Sequence, residues 1–206
     1  LKRIEPHRLK ALIEEDLLRY PDSSIGTIQK RVGNEIPRAQ IKKTLEQFVK
    51  TGKLFSEKPD DPTLRVERAC FVTLKKKEEL RGCVGTLKGD QPLFEEVIRM
   101  TKAAASEDFR FPCLKPEELS EVKIEISVLS PLERIHSADE IEVGRHGIFL
   151  QWKHHSGAFL PEVAPQMGWT SEEFVKACGR EKALLPEEAW PEVHLCRFTA
   201  EKIKEE

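Results

Sequence analysis

The stretch "ACFVTLKKKEELRGCVG", residues 69–85, decides how this chain is read. "ACFVTL" (69–74) is rich in β-branched and apolar residues, and "LRGCVG" (80–85) is strand-like again. Between them "KKKEE" (75–79) is a charged connection short enough for a hairpin. The second strand then sets Cys83 between Gly82 and Val84-Gly85, two residues after Arg81. Glycine at such places provides either φ > 0 or room for another chain segment to approach the backbone. Arg81 offers a planar cation to a carboxylate or a phosphate, and a cation near Cys83 favours thiolate. Gly82, Gly85, Arg81 and Cys83 therefore form a candidate ligand site with a candidate nucleophile in it. A packing account stands beside this one. Cysteine is a small hydrophobe that is often buried, the glycines let a strand bend, and Arg81 pairs with an acidic neighbour.

Working outward, "PLFEEVIRMTKAAASED" (92–108) places Leu93, Val97, Met100 and Ala104 on one helical face opened by Pro92. "VKIEISVLS" (122–130) alternates as a half-buried strand does. "HGIFLQWKHHSGAFLPE" is a second hairpin, with His154 and His155 in a solvated turn. A helix follows at Ser171–Cys178, started by Ser171 with Glu172 and Glu173, and "EVHLCRFTAEKI" (192–203) is a last strand. Hairpins dominate over βαβ units, so the expected class is α+β with antiparallel sheets.

Upstream, three amphipathic helices are expected. Leu9, Leu12, Ile13 and Leu17 mark the first, Ile25, Ile28 and Val32 the second, and Ile41, Leu45, Phe48 and Val49 the third. Pro37 stands in the first turn of the third, and Gly52 follows its end. "EKPDDPT" (57–63) is a linker. Residues 1–58 carry 13 Lys+Arg against 8 Asp+Glu, and the remainder 21 against 28, so a +5 region precedes a −7 region. The helices followed by "GKLF" resemble a winged helix-turn-helix in shape. On that reading Arg38, Gln40, Lys42 and Lys43 approach DNA; on the alternative, the lysines are the wet face of an ordinary amphipathic helix.

The 206 residues include five widely spaced cysteines, Cys70, Cys83, Cys113, Cys178 and Cys196, with no CxxC pair. Reduced thiols in a cytoplasm are the simplest account, and no metal or cofactor is expected. No apolar run is long enough to span a membrane, and the first ten residues have no signal-peptide core. Two further candidates stand outside the hairpin. Arg110, in "EDFRFP", presents a fork for an anion or packs its stem over the flanking aromatics. His146 stands before Gly147 at the start of the second hairpin, and a His-Gly pair at a strand start serves turn chemistry.

From about Val66 to Ile203 the chain resembles the AMMECR family, also called AmmeMemoRadiSam system protein A. The resemblance rests on order: "FVTL", "LRGCVG" where the family usually has LRGCIG, "DFRFPCL" with Cys113 in place of a second proline, "IEISVLSPLERI", "HGIFL", "FLPEVAPQMGW", "LPEEAW" and "LCRFTAE". It implies an α+β fold of two subdomains with antiparallel sheets and the LRGC segment facing a cleft between them. Mapped here, residues 59–139 with 192–206 form the larger subdomain and 140–191 the smaller inserted one, after a helical region over 1–58. "IKKTLEQFVKTGKL" fits the family's first helix; residues 1–36 extend beyond the match. The resemblance implies no established activity, so whether the chain is an enzyme stays open. It makes His146, in the family motif "RHGIF", the candidate for the base that nucleophilic chemistry at Cys83 needs. It does imply association with a Memo-type and a radical-SAM protein in a modification system. The functions carried forward are a substrate- or partner-binding protein centred on "LRGCVG", a nucleic-acid-associated regulator using the basic helices, and a non-catalytic interaction adaptor.

Overall fold

The computed structural model describes residues 38–54 and 65–204. The first two expected helices and the 57–63 linker lie outside the described residues. The chain divides into two compact units, one of residues up to Val128 together with 201–206, the other of residues 129–200.

In the first unit, helix α1 (Arg38–Thr51) is followed by β1 (Cys70–Lys76), β2 (Glu79–Gly85), α2 (Leu93–Ser106) and β3 (Val122–Leu129). Gly52 ends α1 with φ of +71°, its N–H donating to the Phe48 carbonyl at 2.8 Å, the left-handed stop that glycine adopts without strain. The hairpin is tighter than the sequence suggests. Both strands run into the charged segment, leaving only Lys77 and Glu78 at the turn, with φ of +52° and +65°. Two consecutive positive φ values give the turn the twist that a two-residue hairpin requires. With no Gly or Asn to mark it, the sequence hides the turn.

Strand β2 is the edge of its sheet, followed by β1 and then β3, all antiparallel. Helices α1 and α2 cover one face. Ile41 and Leu45 from α1 and Leu93, Val97, Met100 and Ala104 from α2 pack with Val72 and Leu74 of β1 and with Ile124, Ile126 and Val128 of β3. Each large apolar side chain buried here contributes about 1.5–3 kcal/mol. Pro92 precedes α2 in an extended conformation, and Glu95 and Glu96 occupy the first turn, where the helix dipole favours negative charge. The expectation of a half-buried β3 needs correction. From Ile124 onward every residue of β3 is buried, including Glu125 and Ser127 on the face away from the helices.

The second unit contains β4 (Glu133–Ile135), β5 (His146–Trp152), β6 (His155–Phe159), α3 (Val163–Met167), α4 (Ser171–Glu181) and most of β7 (His194–Lys204). Strand β7 has β4 on one side and β5 on the other, and β6 pairs with β5. The N-cap of α4 is Thr170, one residue before the expected start. Its hydroxyl accepts from the Glu173 N–H while the Glu173 side chain returns to the Thr170 N–H. His155 is a strand residue rather than part of the turn, and its Nδ1 lies 3.1 Å from the Ala183 carbonyl. Phe159, Phe174, Ile148 and Leu150 form the centre of this unit, and Trp169 packs against them, 5.9 Å from the Phe159 ring.

Candidate functional site

Strand alternation sorts β1 into two chemistries. Val72 and Leu74 face the helices, so Thr73 and Lys75 face the other way. Thr73 is the register partner of Cys83 on β2 and of Glu125 on β3. The Thr73 hydroxyl lies 3.2 Å from the Cys83 Sγ. Glu125, only 5% exposed, accepts from Lys75 Nζ at 3.1 Å and from Lys202 Nζ at 2.8 Å. Burial pushes the Glu125 carboxyl up, and the hydrogen bonds from Lys202 and Lys75 outweigh it, so the group sits below the ordinary carboxylate range. A thiol, a hydroxyl, a carboxylate and two ammonium groups thus share one sheet face.

The free edge of β2 at Cys83 is closed by the segment after α2. The Cys83 N–H donates to Asp108 Oδ2 at 2.8 Å, and its carbonyl accepts from Arg110 Nη2 at 3.1 Å. The Arg110 guanidinium donates twice to Asp108, Nε to Oδ1 at 2.9 Å and Nη2 to Oδ2 at 2.7 Å, and the Arg110 N–H donates to Oδ1 at 3.2 Å. One acid–base pair thereby satisfies both backbone groups of an edge residue, as a neighbouring strand would. The Arg110 hydrogen bond holds the Asp108 carboxyl down at about 2, against the opposing effect of burial and with help from the Cys83 N–H. Phe109, between the two, is 98% exposed.

Arg81 is the unpaired residue of a β-bulge. Leu74 pairs with Gly82 and Lys75 with Leu80, so Arg81 has no register partner and its side chain is re-aimed. Its guanidinium forks onto Glu118, Nε to Oε1 at 3.0 Å and Nη2 to Oε2 at 2.9 Å, and donates to the Pro112 carbonyl at 2.9 Å. Of the two readings of Arg81, the acidic neighbour is the one this geometry displays. The Arg81 hydrogen bond pulls the Glu118 carboxyl down to about 2, burial opposing.

The glycines answer to close approach and not to positive φ. A Cβ on Gly82 would stand 2.2 Å from the Ala104 carbonyl oxygen of α2, and one on Gly85 would stand 2.2 Å from the Phe71 ring. The structure thus brings Cys83, Arg110, Gly82 and Gly85 together, with Arg81 next to them on its own acid partner. His146 lies in the other unit, where its Nδ1 accepts from the Glu142 N–H at 2.9 Å. Burial lowers its pKa first, then the charges of Arg197 and Arg145, with Glu142 and Glu133 opposing. Thr73, Asp108, Glu118, Glu125 and Lys202 were missed by the sequence reading. Asp108 alone left a local signal, an acid two residues before Arg110 in a segment already singled out.

Among the described residues, no group of three or more His, Cys, Asp or Glu stands in an arrangement able to hold a metal ion. Nor is any described helix long and apolar enough to cross a membrane.

The class defined by this fold and site is an α+β protein of antiparallel sheets and flanking helices, with a buried polar row at a strand-edge cysteine. The AMMECR1 family model matches residues 39–203, and the chain belongs to that family. The match starts within α1, the helix whose "IKKTLEQFVKTGKL" fits the family's first helix. A protein of Thermococcus gammatolerans is 39% identical over 180 residues, covering 80% of this chain and 86% of its own. Protein MK0488 of Methanopyrus kandleri is 38% identical over 177 residues, covering 80% and 84%. The crystal structure of the uncharacterized protein PH0010 from Pyrococcus horikoshii is similar with a TM-score of 0.76 at 34% identity, covering 82% of this chain and 89% of that one.

Proposed function

We propose that this chain is a binding component of a Memo- and radical-SAM-associated modification system, receiving a substrate or partner at "LRGCVG" with Cys83 at the point of contact. The observation that carries this reading is the double hold on Cys83. Its backbone is fixed by Asp108 and Arg110 while its thiol meets the Thr73 hydroxyl on a polar face. Packing alone needs no such arrangement, as Cys70 shows, buried among apolar side chains on the opposite face. A hydroxyl beside a sulfur donates to a thiolate, and the half-buried Cys83 is within reach of a reactive group. Arg110, 41% exposed at its side chain, is the cation a ligand anion meets first.

The test is alkylation of the folded protein across pH, with each cysteine followed separately by mass spectrometry. Burial pushes the Cys70 and Cys178 thiols up to about 12, so both stay silent until unfolding. Cys83 should react in the folded state. If it stays unmodified as long as Cys70 does, the reading is wrong and "LRGCVG" is a packing device.

The adaptor reading keeps one specific support, the exposed Phe109 ring on the Asp108–Arg110 latch. Phe109→Ser should leave folding intact. A partner that binds it as well as the parent chain does not use that ring.

A further inference from the structure

Among the described side chains, three arginines are half-buried: Arg68, Arg81 and Arg197. Two of them have a carboxylate. Arg81 forks onto Glu118, and Arg197 forks onto Glu133, Nε to Oε2 at 3.0 Å and Nη2 to Oε1 at 2.9 Å. The Arg68 side chain, two residues before β1, makes no hydrogen bond or ion pair with any described residue. Burial pulls its pKa below the ordinary arginine value, and no neighbouring charge offsets that. Its nitrogens are nevertheless not sealed. Among the described residues, Glu96 Oε1 is the one buried side-chain nitrogen or oxygen without a partner, so the partnerless Arg68 nitrogens keep accessible surface.

The backbone of Arg68 is fixed by two contacts. The residues just before it are tied to the start of α2, where the Leu93 N–H donates to the Val66 carbonyl at 2.9 Å and Glu67 bridges to Pro92. The turn after β2 crosses directly over it. A Cβ on Gly89 would stand 2.8 Å from the Ala69 nitrogen and 3.0 Å from the Arg68 Cα. Thr86 shapes that turn. Its N–H donates to the Cys70 carbonyl at 3.0 Å, and its hydroxyl accepts from the Lys88 N–H at 3.1 Å. The exposed Lys88 therefore stands one residue from the contact with Arg68. Glu67 and Asp90 are as near to this contact in sequence, and neither pairs with the Arg68 guanidinium.

A guanidinium drawn into a protein without an acid loses solvation and gains nothing for it. The fork that Arg68 leaves empty fits two oxygens of one oxyanion. A second, flexible cation beside it suits a group with more than one negative charge, which favours a phosphate over a carboxylate. We propose that Arg68 and Lys88 form a binding site for a phosphoryl group, Arg68 taking two of its oxygens through the guanidinium fork and Lys88 closing on it from the turn. This site uses none of the groups that hold Cys83, so the two readings stand or fall separately.

The experiment is a titration of the full chain at pH 7 and constant ionic strength with sodium phosphate, glycerol 2-phosphate and sodium acetate, read by NMR of the backbone amides and the arginine Nε–H groups. Saturable shifts at Arg68 and residues 86–90 are expected with both phosphates, with acetate bound about tenfold more weakly. Tighter binding of glycerol 2-phosphate than of inorganic phosphate makes the ligand a phosphate monoester; equal or weaker binding makes it free phosphate. Arg68→Gln should weaken phosphate binding about tenfold, the loss of the charged fork. Because Arg68 is half-buried, Lys88→Gln, at an exposed position, is measured as well and should weaken binding about threefold. No saturable shift, acetate bound as tightly as phosphate, shifts spread over the exposed lysines as an adventitious ion gives, or unchanged binding in either variant that folds would overturn the assignment.

Discussion

The two faces of the β2–β1–β3 sheet carry different chemistry within one residue of each other. Toward α2, Gly82 presses on the Ala104 carbonyl, and Cys70, Val72 and Leu74 are sealed among apolar side chains. On the opposite face Cys83, Thr73, Glu125 and Lys202 form a polar row. The same residue type, cysteine, is a core atom on one side and a held thiol on the other. Neighbouring positions in a strand thus answer to separate constraints, and a motif such as "LRGCVG" is two overlapping patterns. Gly82 and Val84 pack against the helices, while Cys83 faces the polar row and the bulged Arg81 turns to Glu118.

That division is broken most severely from the packed face. Gly82→Val drives a side chain into helix backbone that has no room to give, and should cost about 3 kcal/mol or more. Urea unfolding measures it, and a cost under about 1 kcal/mol would mean α2 does not hold the strand as described.

Next in size is the Arg81 anchor. Glu118→Ala leaves a mostly buried guanidinium without its fork, for a loss of about 2 kcal/mol by the same measurement.

The pH dependence separates the acid partners from the core. Asp108 and Glu118 have folded values of about 2, below their ordinary 3.8 and 4.5. The unfolded chain therefore binds more protons than the folded one in that interval. The stability they contribute is complete above about pH 4.5 and is lost as pH falls toward 2. Urea midpoints measured from pH 5 to 2 should fall less steeply in Glu118→Gln than in the parent chain. Parallel curves would show that the pair contributes nothing to the acid limb.

The smallest expected effect lies on the polar face itself. Thr73→Val keeps the side-chain shape and removes the hydroxyl beside Cys83. It should slow Cys83 alkylation about fivefold while moving the unfolding midpoint little. An unchanged rate would make Thr73 a packing residue and return Cys83 to the chemistry of the opposite face.

Much of the fold was legible because it rests on period. The 3.6-residue repeat of Leu93, Val97, Met100 and Ala104 and the alternation of β3 need no partner to be seen. The turn at Lys77–Glu78 was not legible, as its positive φ values fall on residues that rarely take them. Glu125 was read onto a wet face because alternation reports which way a side chain points and not what it meets there. Its lysines, 50 and 77 positions away in sequence, are brought to it by the pairing of strands. Likewise Arg81, Arg110 and Cys83 were picked out as residue types, whereas Glu118 and Asp108, which occupy the two guanidinium groups, are 37 and 25 residues from the strand positions they serve.

Strand β7 has a consequence for how the chain is made. Lys202 and Ile203 complete the unit that α1 begins, while residues 129–200 are contiguous and supply the whole of the other unit. As the chain leaves the ribosome, the second unit has all its residues before the first has its last ones. The carboxylate of Glu125 must wait for Lys202, on the far side of the whole second unit in the sequence, before that ammonium partner exists. The polar face is therefore finished only after the contiguous residues of the second unit have been made.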